Sequence, residues 1–302
     1  MAIAFVNLVE TNNTSAVSTL TVNMPSYSTG DLVIICLCGT NSVDPAGTHS
    51  HSGGYFTEID PVTTGGINIT SVSAVRMSVW YRIMQSGDSA SYDFQASSTQ
   101  GFTARAASYS GVDPSTPINI ANSSTGGADT SAICPTVTTD EDGCYILRMV
   151  AQDDQETHAN AGVTIRGATS VGISTPGNGT NCDIGDTYQA SQGSTGTSTY
   201  TLGASEEWGT FTVAINPVLV SYALSGVTKD KNGSTLASCE CFLVQDNGDD
   251  TMTFIDQTTS DGSGNYSFTG LSVSTGLLVI AWKDNTPHVF DATDHVLTAS
   301  EE

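Results

Sequence analysis

Apolar residues along this chain come in short runs broken by Gly, Asn, Asp and Pro, and no segment sustains the 3.6-residue periodicity of an amphipathic helix. Short runs between turn clusters predict strands, and many of them predict a sandwich or barrel. The pattern places strands at Ile3–Val9, Val17–Asn23, Asp31–Cys38, Ser73–Met84, Ser91–Ala96, Gly101–Tyr109, Ser131–Thr138, Cys144–Ala151, Gly162–Arg166 and Trp208–Asn216. After Asn216-Pro217 a second series begins, at Val220–Thr228, Cys239–Val244, Met252–Thr258, Asn265–Leu271, Leu277–Trp282 and His288–Asp291. Its strands are separated by Asp230–Gly233, Asp246–Asp250 and Asp261–Gly264, which are turn sequences because Asp and Asn cap their own backbone and Gly takes positive φ. In the run Ser73–Met84, Val75, Met77, Val79, Tyr81 and Ile83 share one face and read as core. Arg76, Ser78, Trp80 and Arg82 share the other. That face reads either as solvated or, since Arg and Trp are enriched at interface hot spots, as a subunit contact through Arg76, Trp80 and Arg82.

Composition sharpens the division. All five Arg precede Pro217 and all three Lys follow it, which supports two separately folded blocks, 1–217 and 218–302. The stretch from Ser170 to Leu202 is mostly Gly, Ser, Thr and Asn. A loop of that length is uncommon in a compact domain, so it is expected either to hold a short strand near Cys182–Tyr188 or to be held by a neighbouring subunit; Asn41–Gly54 is similar. With 8 basic and 31 acidic residues the formal charge is −23. A protein of that sign has too few cations to displace counterions from phosphate, so nucleic acid is not an expected partner. The longest apolar runs, Leu32–Cys38 and Leu277–Trp282, fall short of the ~18 residues of a membrane span, and no membrane partner is expected. The first basic residue is Arg76, so the start lacks the cationic entry of a secretory signal and assembly in a cytosol is expected.

The seven cysteines suit that compartment as reduced thiols. Cys36/Cys38 and Cys239/Cys241 each point to one face of an apolar strand and are expected to line cores. Cys134 and Cys144 flank the turn Asp140–Gly143, close enough in sequence to leave a disulfide open. His49-Ser-His51 with Glu58 has the residue types of a cupin metal motif but six intervening residues rather than three or four, and reads as exposed loop histidines. Asp153, Asp154, Glu156 and His158 form an acidic cluster, expected to be solvated; Asp246–Asp250 and Asp261–Asn265 offer oxygen ligands without the spacing of a calcium loop. There is no nucleophile elbow, phosphate-binding loop or dinucleotide fingerprint. No cofactor and no enzymatic activity are therefore expected.

Two resemblances add to this reading. The segments Leu224–Gly233 and Thr258-Thr-Ser-Asp-Gly-Ser-Gly-Asn-Tyr-Ser-Phe268 resemble the transthyretin-like, carboxypeptidase regulatory-like Ig-type sandwich, with Tyr266 and Phe268 packed inward. The segments Phe102–Pro117 and Trp208–Pro217 resemble β-sandwich domains, some of jelly-roll type, from structural proteins of tailed bacteriophages. Together they imply an all-β chain: a jelly-roll-like antiparallel sandwich followed by a smaller Ig-like one. They also imply a virion protein, foremost a capsid decoration or cement protein. Its first block would dock on the major capsid protein or other virion proteins, as a homotrimer or other symmetric oligomer, and its second would project. The alternative is a tail or fibre component binding a host-surface glycan, with Tyr188, Tyr200 and Trp282 as candidate aromatics.

Overall fold

The computed structural model describes residues 2–13, 15–40, 48–60, 69–70, 75–153, 157–166, 179–218, 222–230, 232–248, 251–271, 275–283, 289–292 and 300–301. Those residues are built of antiparallel strands. There is no helix among them, and so none long and apolar enough to cross a membrane. The chain divides into two compact units, Met1–Val218 and Leu219–Glu302.

In the first unit, β1 (Ala4–Asn12), β2 (Val17–Asn23), β3 (Leu32–Thr40), β4 (Val75–Ile83) and β5 (Ser91–Ser110) make one sheet, in the order β1–β5–β3–β4 with β2 on β5. The second sheet contains β6 (Ile118–Cys134), β7 (Cys144–Asp153), β8 (Thr180–Gln189) and β9 (Ser198–Ile215), in the order β6–β9–β7–β8. The sheets face each other across a core of Ile34, Cys36, Cys38, Met77, Val79 and Tyr109 from the first and Leu147, Met149, Cys182, Ile184, Phe211 and Val213 from the second. This is an antiparallel sandwich, with each sheet drawn from its own contiguous half of the unit.

The two halves repeat one design. In each, the long last strand pairs with both the first strand and the central one, and the central strand pairs on its other side with the third. The registers coincide in detail. Cys36 lies opposite Arg105 and Val79, and the equivalent Met149 lies opposite Phe211 and Ile184. The short strands His49–Ser50 and His158–Ala159 pair with equivalent places on β5 and β9, opposite Ala96 and Leu202.

The central strand β3 is buried at all nine residues. One face meets the opposite sheet. The other is covered by the chain's own flap, in which the first half of β5 pairs with β2 and His49–Ser50. Between flap and sheet lies a second core, with Leu20, Val22, Phe56, Tyr92 and Phe94 packed on Val33, Ile35, Leu37 and Trp80. The second half repeats the arrangement: Ala132, Cys134, Tyr200 and Leu202 cover Val150 and Trp208. A strand covered on both faces has no polar side to show, which is why Leu32–Cys38 reads as one continuous apolar run.

Several strands exceed or escape the sequence expectation. Ser91–Ala96 and Gly101–Tyr109 are one bent strand, β5. Most of β6 is polar (Asn119 to Thr130), because it lies at the edge of its sheet and much of its length is partly or fully exposed, so periodicity does not mark it. The expected short strand near Cys182 is the ten-residue β8, paired along its whole length with β7.

The second unit has β10 (Tyr222–Val227) paired with β13 (Asn265–Leu271), and β11 (Glu240–Asp246) between β12 (Met252–Thr259) and β14 (Leu277–Lys283). Its core is Leu224, Cys239, Cys241, Leu243, Phe268, Leu271, Leu277 and Val279, with Tyr266 packed against it. Both C-x-C pairs thus line cores, and all seven cysteines are buried and free, Cys134 and Cys144 included.

The flap is locked at Gly39. A Cβ there would collide with the Gln100 side chain and lie 2.7 Å from His49 Nε2. Gly39→Ala should therefore cost about 1–3 kcal/mol through overpacking, read as a lower urea midpoint. An unchanged midpoint would mean that the flap does not press on β3.

Candidate functional site

The polar residues singled out in the sequence fall into two groups, those closed inside the first unit and those left on open surfaces. The polar face of β4 is not solvated. Arg76 is 8% exposed, Ser78 is fully buried, and Trp80 is 6% exposed within the flap core. Trp80 Nε1 donates to Ser78 Oγ at 3.0 Å. Of the three residues read as a subunit contact, only Arg82 keeps appreciable surface. It is held by Asp88 through Nε (2.8 Å) and Nη2 (2.6 Å), and its Nη1 donates to the Tyr55 carbonyl at 2.8 Å. The alternation on β4 is correct, and the covering of its second face comes from the chain itself.

His49 is likewise not an exposed loop residue. It stacks on Phe102 at 4.8 Å, its Nδ1 meets Ser78 Oγ at 2.7 Å, and Gln100 Nε2 lies 2.9 Å from its Nε2. The Gln100 amide donates to Nε2, so Nδ1 carries the proton and the ring is neutral. Burial, helped by the Arg76 charge, lowers its pKa to about 3. His51, partly exposed, contacts the Asp93 carbonyl through Nδ1 at 2.9 Å. Glu58 is pushed up to about 8 by burial and by Asp60. Among the described residues no group of three His, Cys, Asp or Glu is placed to hold a metal ion.

The acidic cluster before His158 lies in part outside the described residues, at 154–156. His158 itself is buried, and its Nδ1 is 2.7 Å from Asp183 Oδ2. Asp183 also pairs with Arg105, which reaches across from the first sheet and whose Nη2 lies 3.0 Å from Glu10. Burial and the Arg105 charge lower the His158 pKa to about 3. A second link between the sheets runs from Tyr109 Oη to Asp186 Oδ2 (2.9 Å), with Arg166 bidentate on the same carboxylate at 2.8 and 2.9 Å. These networks are closed inside the first unit, although His158 Nε2 is buried without a hydrogen-bond partner among the described residues.

The Asp-rich turns spend their oxygens locally. The Asn265 side chain, donating to Asp261 Oδ2 at 3.0 Å, and the backbone N–H groups of Asn265 and Ser263, both donating to Oδ1 at 2.8 Å, hold the Asp261 carboxyl below its usual range. Asp246 Oδ1 accepts from Gly248 in the same way.

Two open features remain. In the second unit, Phe242, Val244, Phe254, Leu278, Ile280 and Trp282 lie on the face of the β12–β11–β14 sheet turned away from its core. None belongs to the core cluster; Phe254 is 58% exposed and Trp282 37%, while Phe242, Val244, Leu278 and Ile280 are half-buried. In the first unit, His51, Tyr55, Tyr92, Asp88 and Asp93 line an open groove. Of the three aromatics named from sequence, Tyr188 and Trp282 are exposed. Tyr200 is fully buried, with its hydroxyl donating to the Arg148 carbonyl at 2.8 Å, and is not available to a ligand. Sequence pattern does not mark the groove aromatics, because Tyr55 lies in a short loop and Tyr92 in the short strand run Ser91–Ala96.

No known family model matches the chain, and no curated protein matches it. Among solved structures, the pilus backbone protein RrgB of Streptococcus pneumoniae aligns over 96% of this chain and 87% of its own, at 9% identity and a TM-score of 0.22. That likeness is too slight to argue from.

Both buried imidazoles have folded pKa values below the unfolded value of about 6.5. Their contribution to stability is therefore present above about pH 6.5 and is lost as pH falls toward about 3. Imidazole NMR resonances of His49 and His158 should keep neutral shifts at about pH 5. Protonated shifts there would contradict the closed networks.

Proposed function

We propose that this chain is a structural protein of a tailed-phage particle, a capsid decoration or cement protein that holds neighbouring subunits by surface contact and performs no chemistry. The observation that carries an attachment role is the apolar outer face of the second unit's sheet, running from Phe254 through Val244 and Phe242 to Ile280 and Trp282. Six apolar side chains in one sheet face are what a protein interface of ordinary size, about 1,200–2,000 Å², needs at its centre. The titratable groups that could do chemistry are occupied elsewhere. His158, Asp183 and Arg105 are spent on one another, and His49 on Ser78 and Gln100.

The phage assignment itself rests on the resemblance of Phe102–Pro117 and Trp208–Pro217, together with the charge of −23, which suits the outside of a shell packed with nucleic acid. From sequence the docking role fell to the first block. This partly exposed apolar face favours the second unit, with the major capsid protein as its partner. The first unit is then the body that oligomerises, as a homotrimer in this reading.

A second reading, a tail or fibre component that binds a host-surface glycan, is favoured by the aromatic and acidic groove beside Tyr55.

Mass spectrometry of purified particles should find the chain at a copy number comparable to capsid positions. Absence, or only a few copies, would end the decoration reading. Phe254→Asp with Trp282→Ser should weaken attachment to particles at least about tenfold, as loss of interface anchors does, while leaving the melting temperature of the free protein nearly unchanged. Undiminished attachment would place the docking face elsewhere.

A further inference from the structure

We propose that the groove lined by His51, Tyr55, Tyr92, Asp88 and Asp93 is a binding site for a neutral saccharide. This rests on the glycan reading above and names the seat and the class of sugar. The groove has a volume of about 480 Å³, within the range of small-ligand sites. Its walls combine the two chemistries a sugar presents. The Tyr55 ring, 52% exposed, offers aromatic surface to the C–H face of a pyranose, and it is backed by the buried Tyr92 ring at 5.4 Å and by His51 at 6.0 Å. Beside it stand the Asp93 carboxylate and the hydroxyls of Ser52, Ser89 and Ser91, acceptors and donors for vicinal hydroxyl groups, while Asp88 is spent on Arg82 and the Gln85 backbone.

The site is already organised. Arg82 is clamped by Asp88, donates to the Tyr55 carbonyl and lies 5.4 Å from the Tyr55 ring centroid, so the loop bearing this aromatic is fixed before any ligand arrives. Asp93 is held through Oδ1 by Thr21 Oγ1 at 2.6 Å. Pre-ordering of this kind lowers the entropic cost of binding.

The repeat within the unit supplies an internal control. Because His49 and His158 pair with equivalent places on β5 and β9, His51 corresponds to Asn160, and Tyr92 to Ser198. In the second half those positions simply bond to each other, Asn160 Oδ1 accepting from Ser198 Oγ at 2.9 Å. The second half closes this corner without aromatics; in the first half Tyr92 is part of the flap core, whereas Tyr55 is 52% exposed and does not belong to it.

Charge selects within the class. With Asp88 neutralised by Arg82, Asp93 leaves the groove of a chain of net charge −23 with a carboxylate unpaired among the described residues, which disfavours uronic, sialic and phosphorylated sugars. A cationic ligand is disfavoured because Arg82 already holds the cation position near Tyr55.

The test is a printed array of neutral and acidic glycans probed with the labelled full-length chain, alongside Tyr55→Ala, Asp93→Asn, Tyr55→Phe and Tyr188→Ala. The expected result is binding to neutral glycans only, reduced at least tenfold in Tyr55→Ala and Asp93→Asn and retained in the other two. Thermal melts of all four confirm folding. Binding unaffected by Tyr55→Ala and Asp93→Asn overturns this site and leaves the glycan reading standing. No binding to any glycan overturns both, and preference for acidic glycans overturns the assigned class.

Discussion

The central strands of the first unit have no face to give to water, and most of its architecture answers that constraint. Each of β3 and β7 packs one face on the other sheet, and the opposite face must be covered from within the same half. The long strands β5 and β9 supply the cover by bending off their sheets to carry a flap. Burying a Leu, Ile or Val side chain contributes about 1.5–3 kcal/mol, and Val33, Ile35 and Leu37 obtain it only because the flap is there. The polar groups trapped underneath then have to be satisfied. His49 is bonded to Ser78 and Gln100, and Gly39 is the residue that leaves space for them.

Charge is organised around the same enclosure. The five arginines of the first unit are engaged inside it: Arg76 is buried, Arg82 clamps Asp88, Arg105 bridges Glu10 and Asp183, and Arg166 holds Asp186. Arg148 is held wholly by neutral acceptors, namely Thr212 Oγ1 and the carbonyls of Pro135, Thr195 and Gly196. The few cations thus neutralise carboxylates or cap carbonyls internally, and the outward field of the unit is left to its acids. Buried pairs such as Arg105–Asp183 need not add net stability, but removing one partner leaves an uncompensated charge, which costs about 3–5 kcal/mol.

Sequence pattern reached the strand content, the two-block composition and the core placement of both C-x-C pairs, because burial leaves a direct trace in residue type. It did not reach β6, whose length from Asn119 to Thr130 carries almost no apolar residue, since an edge strand with much exposed surface needs none. It reached the parity of Arg76 and Trp80 but not what faces them, since alternation tells which residues share a side and not which segment covers it. His49 and His158 looked like loop histidines because what closes around them comes from far along the chain, Gln100 for one and Asp183 for the other. The Thr-His steps at Thr48-His49 and Thr157-His158 were visible, but they become a repeat only once the pairing with Ala96 and Leu202 is known.

The contiguity of the two sheets bears on how the chain is made. The first sheet is complete at Ser110, before any strand of the second has left the ribosome. For that interval the side of it bearing Ile34, Met77 and Tyr109 has nothing to pack on except another nascent copy. A neighbour's second half has the register this side requires, so mutual exchange of halves between chains is the mis-assembly to which this architecture is prone, and also its simplest path to a closed dimer.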